Sequence, residues 1–210
     1  VAGLVAPEPL ALEKLLWDLG CRRVAGVDEV GLGPLAGPVV AAAVSFPQGH
    51  EGGLAVADSK KLSATKREAL DEQIRASAAA IAVGVVEVEE LDALGVHDAG
   101  LEAMRRAVVQ LADLDYLLVD ARTIPDIEIR QMAYVRADSF IYCVAAASIV
   151  AKVYRDGLML ELDGEFPGYG FARHMGYGTA AHMAALDRLG PCAIHRRSFA
   201  PIRRRLGASD

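Results

Sequence analysis

Gly26-Val27-Asp28-Glu29-Val30-Gly31-Leu32-Gly33-Pro34-Leu35-Ala36-Gly37-Pro38 sets two adjacent carboxylates in an apolar run, then supplies three glycines and two prolines. Val24, Val27 and Val30 lead in and an apolar run over 39–46 leads out, so the spacing predicts two strands joined at a glycine-rich bend. An unpaired carboxylate buried in an apolar strand is costly, so acids placed there are paired, hydrogen-bonded or bound to a cation. A single acid would read as a cap for nearby amides, whereas two together require a further reason. Neighbouring strand residues point to opposite faces, so Asp28 and Glu29 converge only if the strand kinks or ends there. Gly31 and Gly33 fit either a kink or a strand end at that point.

Working outward, leucines at 10, 12, 15, 16 and 19 predict a short helix over 9–19 that Gly20 stops. Ser63 reads as the N-cap of a polar helix over 64–76, and 79–88 as a further strand. Asp98 is expected to cap a helix carrying Leu101, Met104, Val108 and Leu111 at helical spacing. Tyr116-Leu117-Leu118-Val119-Asp120 is a continuous apolar run ending in an acid, the pattern of a strand buried on both faces. Ligands of open α/β sheets sit beyond such strand ends, which places Asp120 as a site residue, with a loop acid as the alternative. A short strand over 134–136 and a long apolar helix over 139–162 follow, with Asp138 at the helix start as a candidate N-cap. Residues 165–201, rich in Gly, Pro, His and aromatics, read as a helical and loop appendage with a helix over 179–188. The expected architecture is α/β: a mixed central sheet flanked by helices, with a small C-terminal helical region. Its segments are a helical stretch over 1–20, a core over 21–163 and a C-terminal region with a basic tail over 164–210.

The 210 residues suffice for one good core, and 53% hydrophobic with 24% charged residues is the balance of a globular protein. Cys21, Cys143 and Cys192 fit neither a C-x-x-C pattern nor an even disulfide framework. With no basic start in the first twelve residues and no uncharged run of spanning length, the expectation is a cytoplasmic protein, with a monomer expected and no membrane partner. The net charge of −6 hides an asymmetry: five arginines against Asp210 lie from His195 onward, leaving a formal −10 for the rest. That split allows a basic patch for a phosphate backbone beside an acidic site for divalent cations.

Asp28, Glu29, Asp120 and Asp138 thus fall where a fold could bring them together. There is no G-x-S-x-G, no zinc spacing and no His-paired cysteine. Oxygen donors alone suit hard cations such as Mg²⁺ or Mn²⁺, and two such ions support phosphodiester hydrolysis without a covalent intermediate. A dinucleotide loop is excluded, because Gly37 is one place too late and a strand follows instead of a helix. His174, His182 and His195 read as packed or hydrogen-bonding histidines, since oxygen ligands suffice.

Gly26-Val27-Asp28-Glu29, Gly33-Pro34-Leu35-Ala36-Gly37-Pro38, Asp58-Ser59-Lys60-Lys61-Leu62, Val119-Asp120, Ala137-Asp138-Ser139, the run from Ala146 to Asp156, His174-Met175-Gly176-Tyr177-Gly178-Thr179 and His195-Arg196-Arg197-Ser198-Phe199 together resemble ribonuclease HII, in that family's order. The resemblance implies a ribonuclease H-like fold and endonucleolytic cutting of RNA in RNA–DNA hybrids, including incision 5′ to a ribonucleotide embedded in duplex DNA. It implies that Asp28, Glu29, Asp120 and Asp138 hold two divalent ions, Mg²⁺ or Mn²⁺. It further implies that the backbone of Gly31, Leu32 and Gly33 reads the 2′-hydroxyl, that Tyr177 stacks on a neighbouring sugar, and that Lys60 and Lys61 contact the substrate backbone. Leu32 and Met175 each stand where the family has a basic residue. Both changes remove positive charge near the expected duplex path, which raises the alternative of a hybrid-binding protein with weakened catalysis or lost junction specificity.

Overall fold

The computed structural model describes residues 10–56 and 62–207. Five strands form one mixed sheet: β1 (Val24–Val30), β2 (Val39–Ser45), β3 (Ala80–Val86), β4 (Tyr116–Asp120) and β5 (Arg130–Tyr134). Their order is β3-β2-β1-β4-β5, with β1 antiparallel to β2, β2 antiparallel to β3, and β1–β4 and β4–β5 parallel. The first three strands are a meander, and the step from β3 to β4 crosses over through helices, as parallel pairing requires.

Strand alternation sorts the core into two layers. Val24, Val40, Val44 and Leu118 face helix α5 (Tyr142–Glu165), together with α1 (Ala11–Asp18) and α2 (Ala64–Ser77). Ala25, Val27, Val39, Ala43, Leu117 and Val119 face α3 (Val88–Leu94) and α4 (Val96–Val108). Every residue of β2 is buried, because the strand is covered on both sides. The first ten residues of α5, Tyr142 to Ala151, are likewise all buried. A helix apolar all round must lie inside, and α5 runs so close to β1 that a Cβ on Gly26 would stand 2.2 Å from the Cys143 carbonyl carbon.

Several boundaries differ from the sequence expectation. Helix α5 starts at Tyr142, and Asp138 does not cap it; Asp138 lies in a 3₁₀ turn, Ala137–Ser139. The amide of Cys143 at the start of α5 instead donates to the buried Glu13 carboxylate of α1, at 2.8 Å. Strand β5 is Arg130–Tyr134, ahead of the expected 134–136. Asp98 sits inside the first turn of α4, whose N-cap position is Gly95, because the unexpected helix α3 runs directly into it. Ser63 does cap α2, accepting from the Lys66 amide.

The chain ends in α6 (Phe171–His174), α7 (Ala180–Leu189) and α8 (Ala200–Arg205). These helices join the loop after β1 in shared apolar clusters, with Leu35 against Leu186 and Ile202, and Ala36 against Met159 and Phe171. Among the described residues no helix is long and apolar enough to cross a membrane.

Candidate active site

The parallel ladder between β1 and β4 ends at Val27 opposite Val119, so Asp28 and Asp120 follow side by side at the carboxyl ends of neighbouring strands. Parity puts Asp28 with Val24 and Asp120 with Leu118, on the α5 face. Glu29 belongs to the other face, where a Cβ on Gly100 of α4 would stand 3.7 Å from its Cγ. Of the two expected alternatives the structure has the strand end and not the kink: β1 pairs with β2 without interruption to its last residue, Val30, opposite Val40. Glu29 shares the site because β1 extends beyond its pairing with β4, which leaves both faces of its end open to one cleft.

That cleft, about 440 Å³, is lined by Asp28, Glu29, Val30, Arg67, Asp120, Ser148, Lys152 and Tyr177. Asp120 Oδ1 accepts the Ala137 amide at 2.6 Å, which ties the turn bearing Asp138 to the end of β4. Asp28 is 4% exposed. Burial first, and then the charges of Glu29, Asp120 and Asp138, push its carboxyl well above the ordinary range, while a hydrogen bond from Ser148 offsets part of that rise. That repulsion places Glu29, Asp120 and Asp138 within electrostatic reach of Asp28. A second cavity, about 210 Å³, lies on the α4 side of the same strand ends and takes in Glu29, Leu32, His97, Met104, Asp120 and Arg122.

The donor set is all carboxylate, which fits hard divalent cations. Among the described residues no three acidic, histidine or cysteine groups stand together in an arrangement that would hold a metal ion as it is. Arg67 and Lys152 bring positive charge to its far wall and share Asp156, at 3.8 Å and 2.5 Å.

The glycine loop forms the rim. Gly31 has a φ of +98°, and a Cβ there would meet Arg155 Nε at 2.4 Å, so only glycine fits. Gly33 is exposed, and Tyr177 stands beside it: a Cβ on Gly33 would lie 3.7 Å from the ring's Cε1. The side chain of Leu32 does not point along this rim. It packs with the α4 core and closes on Gly100, while Met175 packs with Met159 and Phe171. Lys60 and Lys61 lie outside the described residues.

Three histidines hold Tyr177 from behind. The Cys192 amide donates to His195 Nδ1 at 2.9 Å, which leaves the His195 proton on Nε2. That proton is donated to His182 Nε2 at 3.0 Å, and His182 Nδ1–H donates to the Tyr177 carbonyl at 2.9 Å. Both rings are neutral in this relay; burial, then His182, lowers His195 to about 4, and burial lowers His182. His174 stacks on His182 with ring centroids 4.4 Å apart. Sequence reading gave no role to Arg67, Ser148, Lys152, Arg155 or Arg196. The usable signal was arginine inside otherwise apolar helical or aromatic stretches, where only a buried set of acceptors could explain it.

The family model for ribonuclease HII matches residues 25–202. The ribonuclease HII of Myxococcus xanthus is 52% identical over 201 residues, spanning 94% of this chain and 68% of that protein. The ribonuclease HII of Geobacter metallireducens is 51% identical over 192 residues, spanning 91% and 90%. The crystal structure of ribonuclease H2 from Pyrococcus horikoshii superimposes with a TM-score of 0.75 at 26% identity, covering 87% of this chain and 96% of that one.

Proposed function

The chain belongs to the ribonuclease HII family and is a ribonuclease, and from that premise we propose that it cuts the RNA strand of RNA–DNA hybrids and incises 5′ to ribonucleotides embedded in duplex DNA. The observation that carries the reading is the convergence of Asp28, Glu29 and Asp120 on one cleft that also takes in Tyr177, with Asp138 near enough for its charge to raise Asp28. These four acids would hold two divalent ions, Mg²⁺ or Mn²⁺, which when bound supply an activated water and neutralise charge at the scissile phosphate.

The chain's own groups account for the rest. Asp28 and Asp120 are fixed by neighbouring strand ends, and Asp138 by the turn bonded to Asp120, so the donors are preorganised by sheet geometry. Arg67 and Lys152 face the duplex path with positive charge. Tyr177, 43% exposed, offers its ring to the sugar next to the ribonucleotide. The backbone at Gly31, Leu32 and Gly33 reads the 2′-hydroxyl, the group that separates RNA from DNA. Lys60 and Lys61 keep the backbone-contact role that the family pattern gives them. The alternative of a binding protein with weakened catalysis rested on Leu32 and Met175, and both side chains are packed into apolar clusters instead of facing the cleft.

The test is cleavage of two labelled duplexes, one a DNA with a single embedded ribonucleotide and one a continuous hybrid, with Mg²⁺, with Mn²⁺ and with chelator. Cutting of both, abolished by chelator and placed 5′ to the lone ribonucleotide, is the expected result. Cutting of the continuous hybrid alone would remove junction incision from the reading, and binding without cutting would reinstate the alternative.

A further inference from the structure

Arg196 is fully buried behind the loop it serves. Its Nε donates to the Gly37 carbonyl at 3.0 Å, Nη1 to Leu32 at 3.1 Å, and Nη2 to Gly31, Gly37 and Pro38 at 2.6, 2.8 and 3.3 Å. The five bonds end on four carbonyls, all of residues 31–38, and none of the acceptors is a carboxylate. The nearby Asp92 instead accepts the amides of Arg197 and Ser198. Arg155 adds a second buried guanidinium on the Ala36 and Pro38 carbonyls, and Phe199 lies over the Arg196 guanidinium at 5.3 Å.

A buried cation is an expensive way to hold a loop, because desolvation opposes it and apolar packing serves as well. What the cation adds is direction. A trans peptide sets its N–H opposite its C=O. With the Gly31 and Leu32 carbonyls turned back onto Arg196, the amides of Leu32 and Gly33 point the other way. Neither amide donates to a backbone carbonyl among the described residues. They open at the rim where Gly33 meets Tyr177. A positive charge on the carbonyl side also polarises those peptides and strengthens their N–H groups as donors.

Resting on the function proposed above, we infer that Arg196 is the positioning residue for ribonucleotide recognition: by gathering the loop's carbonyls it holds the Leu32 and Gly33 amides as a fixed pair of donors for the ribose 2′-hydroxyl. The side chain never touches substrate, so its loss removes preference for ribose and spares grip on the phosphate backbone.

The experiment compares wild type, Arg196→Lys and Arg196→Met. Binding is measured in chelator to two duplexes that differ only in one ribose or deoxyribose at the same position, and cleavage of the ribose duplex is measured with Mg²⁺ and with Mn²⁺. Lysine keeps the charge but cannot span four carbonyls. Arg196→Lys should therefore stay folded and lose about tenfold in the ribose-to-deoxyribose affinity ratio. Its affinity for the all-deoxy duplex should change by less than about twofold, since that term is set by phosphate contacts. An unchanged ratio, or an equal loss on both duplexes, overturns the assignment. If the variants do not fold, the amide resonances of Leu32 and Gly33 in wild type decide it: they must move further with the ribose duplex than with its deoxy twin, and equal shifts overturn it. A wild type that cuts neither duplex fails the function reading itself, whereas one that cuts at the ribose while Arg196→Lys keeps full preference fails this inference alone.

Discussion

Asp28 is the residue on which burial and charge act together. Its folded carboxyl titrates above the ordinary range, so the stability that its protonated form contributes is lost as pH rises from near 4 through the raised folded value. Asn at this position cannot ionise. Asp28→Asn should cut turnover by at least about a hundredfold and, without divalent ions, raise the thermal midpoint, as calorimetry in chelator would show. Millimolar Mg²⁺ or Mn²⁺ should raise the wild-type midpoint through linkage and leave the Asp28→Asn midpoint almost unmoved. A second residue, Leu32, shows where a local reading stops. The sequence placed it on the duplex path, yet its side chain lies on α4 against Gly100. Leu32→Ala should cost about 1–2 kcal/mol in denaturant unfolding, the loss expected for a partly buried leucine. The salt dependence of duplex binding should stay unchanged, since no phosphate contact is removed. The acid pair was legible because two charges in an apolar strand have few explanations. The direction of Leu32 was not, because a loop residue's rotamer is set by the helix it meets.

Among the elements, α5 gives the clearest case of a role assigned to the wrong residue. An aspartate just before an apolar helix is a favoured cap, and Asp138 fits that pattern in sequence. In the fold Asp138 lies in a 3₁₀ turn within electrostatic reach of Asp28, and the helix start is served at Cys143 by Glu13, 130 positions earlier. A buried carboxylate at a helix N-terminus is stabilised by the first-turn amides and the helix dipole. Glu13→Ala should lower unfolding free energy by about 2 kcal/mol, because it leaves a buried amide unpaired. Activity per folded molecule should persist at temperatures well below the midpoint, which distinguishes a structural cap from a site residue. The strands and most helices could be read from alternation, helical spacing and the glycine stops. Helix α3 could not, since its seven residues run into α4 with only Gly95 between them.

At the scale of the whole molecule, the C-terminal helices are part of the site. Leu35 donates its amide to the Gly176 carbonyl at 2.8 Å and Gly37 to Ile194 at 2.9 Å, so the rim loop and the segment over 176–194 fold as one surface. The neutral His182–His195 pair stands within that surface and gives it a pH limit. Unfolded histidine takes up its proton near pH 6.5, whereas folded His195 does so only near 4. The unfolded state therefore binds more protons in between, and stability should fall by on the order of 2 kcal/mol as pH drops through that window. His195→Asn should flatten that slope in chemical denaturation measured from pH 7 to pH 4. By itself the sequence determined the mixed α/β architecture and marked the acid pair of β1 and the glycine-rich loop after it. Each of these is written in residues close together in the chain, through strand alternation, buried charge and backbone freedom. Only the tertiary structure decided that Glu29 reaches the cleft without a kink, that Glu13 caps α5, and that Arg196 aims the rim's amides. Those contacts join residues more than a hundred positions apart or depend on which strand ends first, and no local pattern encodes either.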